Sequence, residues 1–154
     1  MRNIGLNNSN LEQVSHQLNQ LLADYQIYYQ NLRAMHWLVK GPNFFQLHEA
    51  FEKLYTEAAD KIDEIAERIL IIGYQPLHTF KDYLANASIS ELSEVGKESE
   101  LVERVKQDIL TLLSQERKIV ETASDASDEG TVALLTGLIP GQEKLLWMLD
   151  AMQN

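Results

Sequence analysis

Residues 47–73, LHEAFEKLYTEAADKIDEIAERILIIG, decide the fold class. Leu47, Phe51, Leu54, Ala58, Ile62, Ile65, Ile69 and Ile72 recur at three- and four-residue steps, the spacing that lines one face of an α-helix. Gly73, with Pro76 beyond it, supplies the stop. The spacing predicts one long amphipathic helix with an apolar stripe and a charged outer face.

The same period extends in both directions. Upstream, Leu11, Val14, Leu18, Leu21, Tyr25, Tyr29, Leu32, His36 and Val39 trace a helix that Lys40-Gly41-Pro42-Asn43 terminates. Downstream, residues 74–97 form a long connection, with a short helix expected at Ile89-Ser90-Glu91-Leu92. A third stripe runs through Leu101, Val105, Ile109, Leu112, Glu116, Ile119 and Ala123, and Glu116 is its one polar member. A fourth helix spans Val132 to Met152, with Asp128 as a natural N-cap; Pro140 and Gly141 predict a kink or a frayed start. Four long helices and one long crossover make an all-α, ferritin-like four-helix bundle, with a short helix between the second and third. The 154 residues read as a single domain, 1–154.

Composition narrows the function. Hydrophobic residues make up 45%, enough for a core, and no apolar run approaches the ~18 residues that span a bilayer. The N-terminus lacks the apolar segment of a signal peptide, so a cytoplasmic location is expected. The absence of cysteine excludes disulfides and thiolate metal sites. A net charge of −10 opposes binding to phosphate backbones and suits a protein that attracts cations.

Two imidazoles and two carboxylates then stand out: His36, His48, Asp63 and Glu67. Asp63 and Glu67 are at i, i+4 and share one helical face, where two carboxylates can converge on a cation. Imidazole with carboxylate suits a first-row metal, iron and zinc foremost. His48 and Asp63 lie on one helix, and 15 residues at 1.5 Å each separate them by roughly 22 Å. One chain cannot bring them to one metal. Either the carboxylates are a solvated face unrelated to the histidines, or the site closes only with a second subunit. The face carrying His48, Glu52, Tyr55, Ala59, Asp63 and Glu67 offers a bulky and a small residue that could pack against another copy. The Glu-x-x-His pair of an intrachain di-iron bundle is missing, since Phe45 precedes His48 by three and Arg33 precedes His36. His16 and His78 lack ligand-spaced partners and read as surface or packing residues.

The run from His36 to Glu52, HWLVKGPNFFQLHEAFE, resembles the signature of the Dps-type mini-ferritins, the DNA-protecting proteins of starved cells. Asp63-Glu64-Ile65-Ala66-Glu67-Arg68, followed by Gly73 and Pro76-Leu77, resembles that family's second motif. The resemblance implies a ferroxidase centre built from His36 and His48 of one subunit with Asp63 and Glu67 of its two-fold mate. Glu52 matches an acid assisting a second iron, and Trp37 a tryptophan beside the centre. It further implies dodecameric hollow shells, homo-oligomers of about twelve subunits, that oxidise Fe(II), commonly with hydrogen peroxide, and store the ferric iron. Asp125, Asp128 and Glu129 match the segment lining iron-entry pores, although Ala133 stands where relatives often carry a further acid. DNA-binding members use a mobile basic tail. Here residues 1–10 hold only Arg2 and Met148 to Asn154 hold no basic residue, so DNA binding is not expected.

Overall fold

The computed structural model describes residues 4–6 and 8–153. Arg2 and Asn154, on which part of the DNA reading rests, lie outside them. Five helices follow one another: α1 (Asn8–Leu38), α2 (Phe44–Ile71), α3 (Phe80–Asn86), α4 (Glu98–Asp125) and α5 (Glu129–Gln153). The main contacts are α1 on α2, α4 on α5, α1 on α4 and α1 on α3, which is the expected bundle with one long crossover. The apolar stripes close on one core, in which Leu18, Tyr25, Leu32, Ile65, Ile69, Leu101 and Ile109 are fully buried.

Local chemistry sets the ends. At the end of α2, Gly73 takes φ 91°, Tyr74 N–H reaches the Ile69 carbonyl and Gly73 N–H the Leu70 carbonyl. Those two bonds form a Schellman cap, which satisfies carbonyls the last turn leaves open. Gly41 (φ 144°) packs its backbone on Glu98, and a Cβ there would come within 2.5 Å of that carboxylate. Glu98 in turn accepts from Asn43 N–H (2.8 Å) and Nδ2 (3.1 Å), tying the α1–α2 turn to the start of α4.

The short helix is displaced from its expected place. It occupies Phe80–Asn86, capped by Thr79, whose hydroxyl accepts from Asp82 N–H. Residues 89–92 are not helical. Their backbone is claimed by α1 and α4 instead. Asp24 accepts from Ser88 and Ile89 N–H, Asn31 accepts from Leu92 N–H, and Asn31 with Arg104 donates to the Ser90 carbonyl. A segment whose amides are spent on side chains has none left for an i→i+4 ladder.

The fourth long helix also differs from expectation. It begins at Glu129 and passes Pro140 and Gly141 without a break. Asp128 caps it as read, accepting from Thr131 N–H at 3.1 Å.

Candidate metal centre

His36 sits in the last turn of α1 and His48 in the second turn of α2, so the short Gly-Pro turn folds them together. Their rings stack at 3.8 Å between centroids, 20° from parallel. Each ring is held by the other's backbone: His36 Nδ1 lies 2.8 Å from the His48 carbonyl, and His48 Nδ1 lies 2.8 Å from the His36 carbonyl. A carbonyl only accepts, so both Nδ1 atoms carry the proton. Both Nε2 lone pairs are thereby left for a metal. The exchange also satisfies a carbonyl of the final α1 turn, one of those a helix end leaves open. Second-sphere contacts of this kind fix ring orientation before a metal arrives.

Glu52, one turn beyond His48, completes the cluster. One donor atom each from His36, His48 and Glu52 lies within 4.8 Å of the others. Both histidines are half-buried and Glu52 is exposed, so the cluster is open on its outer side. Phe44 stacks on His48 at 5.1 Å and the Tyr55 ring stands edge-on to His36 at 5.4 Å. Tyr55 is therefore part of the wall around His36 within its own chain, a contact the sequence did not reveal. Trp37 is 55% exposed beside the cluster, with the Arg33 guanidinium 4.8 Å above its ring.

Asp63 and Glu67 do not join this cluster. They are exposed further along α2, and neither has an ion-pair or hydrogen-bond partner among the described residues. The chain thus presents two separate groups of candidate ligands: two imidazoles with an acid where α1 meets α2, and two carboxylates without partners further along α2. Exposed apolar residues flank both groups, Trp37 and Phe45 near the histidines, Leu70 and Ile71 beyond the carboxylates.

The three pore candidates separate. Asp125 and Glu129 are exposed, whereas Asp128 is fully buried. Its carboxylate is consumed by the cap on Thr131 and an ion pair with Arg68, whose Nε also donates to Thr131 Oγ1 at 2.9 Å. Capping draws the side chain back over its own helix end, so Asp128 has no oxygen to offer a pore. His16 and His78 are exposed, and His78 makes only a 3.3 Å contact to the Pro76 carbonyl.

Known proteins resemble the chain in sequence and in fold. The model of the ferritin-like domain matches residues 15–154. The chain is 44% identical over 147 residues to the DNA protection during starvation protein of Porphyromonas gingivalis, covering 96% of this chain and 92% of that protein. It is 45% identical over 143 residues to DNA protection during starvation protein 2 of Bacillus anthracis, covering 93% and 98%. The chain belongs to the Dps-type ferritin-like proteins. The crystal structure of the Dps protein from Vibrio cholerae O1 superposes with a TM-score of 0.96 at 41% identity, over 100% of this chain and 97% of that one. That protein is described as a member of a broad superfamily of ferritin-like diiron-carboxylate proteins. No helix among the described residues is long and apolar enough to cross a membrane.

Proposed function

We propose that this protein is a ferroxidase whose iron centre is shared between two subunits, and that it stores the ferric product inside a closed shell. The observation that carries the reading is the arrangement of ligands along α2. The midpoint between His48 and Glu67 coincides with that between Glu52 and Asp63, between Glu57 and Ala58. Pairing α2 antiparallel with its copy about a two-fold axis at that point sets His48 opposite the partner subunit's Glu67 and Glu52 opposite the partner subunit's Asp63. Such an interface is self-complementary, and one axis closes two identical centres. Tyr55 and Ala59 fall near the axis, and the apolar flanks would be covered on pairing.

Fe(II) is the substrate. Imidazole nitrogens and carboxylate oxygens bind it, and carboxylates favour the Fe(III) product more strongly. When two Fe(II) each pass one electron to one hydrogen peroxide, the O–O bond breaks, two hydroxides form and no hydroxyl radical escapes. The chain's part is to hold both irons at one place, with imidazoles already oriented by the reciprocal carbonyl contacts. Trp37, close to His36 and exposed, is suited to intercept a stray oxidising equivalent. Exposed Asp125 and Glu129 are the acids left to draw Fe(II) toward an entry pore. The cysteine-free composition suits the cytoplasm, where Fe(II) persists.

Protection of DNA is then indirect, through removal of peroxide and Fe(II). With −10 per chain multiplied over a shell, the phosphate term is repulsive. The test is Fe(II) oxidation followed under hydrogen peroxide and under oxygen, with the native mass measured on the same sample. Saturable oxidation with one peroxide consumed per two Fe(II), in a particle of about twelve subunits, supports the reading. A monomer without catalysed oxidation overturns it. Retardation of plasmid DNA in the presence of a chelator would favour direct binding instead.

A further inference from the structure

His36 and His48 belong to different helices, so their alignment depends on the turn at 39–43 that joins α1 to α2. That turn is held from outside. Asn43 occupies the N-cap position of α2, yet its side chain makes no capping bond to its own helix. Its Nδ2 donates instead to Glu98 Oε2 at 3.1 Å, and its backbone N–H donates to Glu98 Oε1 at 2.8 Å. Glu98 is the first residue of α4. One carboxylate thus serves the N-terminal ends of two helices, where negative charge is favoured. For α2 it does from another helix what the Asn43 side chain would ordinarily do locally.

On the reading of His36 and His48 as iron ligands, we propose that Glu98 is a positioning residue for the iron centre. By capping α2 from the start of α4, it fixes the turn that sets His36 against His48. The two bonds that orient the imidazoles, from each Nδ1 to the other residue's carbonyl, are both 2.8 Å long. They close only while the end of α1 and the start of α2 keep one separation. Bonds of this class extend to about 3.2 Å, so a shift of about 0.5 Å at the start of α2 opens both. Inside the turn, Phe44 N–H reaches the Gly41 carbonyl only at 3.2 Å, the long end of that range. The Glu98 carboxylate, a charged acceptor, is the stronger restraint. Without it the imidazoles must be ordered as the metal binds, which lowers affinity.

Gly41 completes the fit. Its φ of 144° is a conformation that L side chains rarely adopt, and a Cβ there would fall 2.5 Å from the Glu98 carboxylate. A side chain at this position therefore swings Glu98 away from Asn43, which gives a second route to the same loss.

The test is titration of the native assembly with Co(II), followed by its visible absorption. A variant with His36→Ala and His48→Ala marks which signal comes from the imidazoles. Glu98→Ala is expected to weaken Co(II) binding at the histidines about tenfold, the low end for loss of an outer-sphere partner. It should also raise the Fe(II) concentration for half-maximal oxidation more than it lowers the maximal rate. In the metal-free protein, amides of residues 40–48 should exchange faster with solvent at unchanged native mass. Glu98→Gln keeps an acceptor for Asn43 N–H and should restore most of the affinity. Gly41→Ala should weaken binding in the parent, and less in the Glu98→Ala background, where no carboxylate is left to displace. Thr79→Ala uncaps α3 without touching the turn, and should bind Co(II) as the parent does despite lower stability. Parent-like affinity in Glu98→Ala, or an equal loss in Thr79→Ala, overturns the proposal and leaves the iron reading intact. A parent that binds no Co(II) through its histidines overturns both. Should Glu98→Ala fail to assemble, Glu98→Asp carries the same comparison, because its carboxylate stops one methylene short of Asn43. Parent-like affinity there is likewise decisive against the positioning role.

Discussion

Glu116 is the single polar residue in the apolar stripe of α4, and its surroundings explain how it is tolerated. One carboxylate oxygen accepts from Tyr25 Oη (2.7 Å) and Gln142 Nε2 (2.8 Å), while the other has no partner. Burial holds its carboxyl above the ordinary 4.5, and the bonds from Tyr25 and Gln142 offset this only in part. The native state therefore keeps this proton to higher pH than the unfolded chain does. Its contribution to stability is fully present below about pH 4.5 and is lost as pH rises through the native value. Glu116→Gln keeps an acceptor for Tyr25 and removes the buried charge. We predict that it raises stability at pH 7 by about 1 kcal/mol and flattens the slope above pH 4.5. Urea midpoints at fixed protein concentration, measured from pH 4.5 to 7.5, read both effects. A midpoint lowered at pH 7 would show that the carboxylate is needed in its charged form. Sequence alone marked Glu116 as an anomaly but could not name its partners, which lie on α1 and α5. Similarly, His36 and His48 were legible as candidate ligands and the structure stacks them together, whereas their mutual carbonyl lock depends on the path of the turn between them.

Between elements, Arg68 joins the far end of α2 to the junction of α4 and α5. It pairs with buried Asp128, donates to Thr131, and lies so close to Gly130 that a Cβ there would fall 2.6 Å from the guanidinium. Removing one partner of a buried pair strands the other, so Arg68→Ala should destabilise by about 3 kcal/mol. Arg68→Met with Asp128→Asn should cost much less, because Asn still caps α5 and no charge is left unpaired. Denaturant unfolding of the two variants checks this, and equal losses would mean that the stranded charge of Asp128 is not what costs stability. Thr79→Ala removes the cap of α3 and should cost about 1 kcal/mol, read the same way. The four long helices were legible because three-to-four periodicity is a property of each segment by itself. The connection was not, because Ile89 and Leu92 look helical until Asp24 and Asn31, more than fifty residues away, take the amides around them. Asp128 was legible as a cap, but its burial under Arg68 needed the packing of α2 on the α4–α5 corner.

At the scale of the whole molecule, the proposed function makes the His36–His48–Glu52 cluster and the Asp63–Glu67 pair two halves of one centre, to be completed by a second copy. In the shell proposed above, acids near an opening would speed cation entry in a salt-dependent way. Asp125→Asn with Glu129→Gln is predicted to slow ferric core growth several-fold at low ionic strength. The first oxidation at the centres should be comparatively intact. Stopped-flow absorbance with and without added salt decides it, and unchanged uptake would place the entry route elsewhere, as Ala133 already hints. The shared centre itself is tested most directly by complementation. One variant carries His36→Ala and His48→Ala, the other Asp63→Ala and Glu67→Ala, and each alone should oxidise Fe(II) at no more than a few per cent of the parent rate, about 1–10% by the usual cost of lost ligands. Assembled together at random, about half of the two-fold pairs are mixed, and each mixed pair has one complete centre and one empty of all four ligands. The shared site therefore predicts recovery of about a quarter of the parent activity. No recovery in mixed assemblies of normal native mass would contradict it, because that is the result a centre confined to one chain requires.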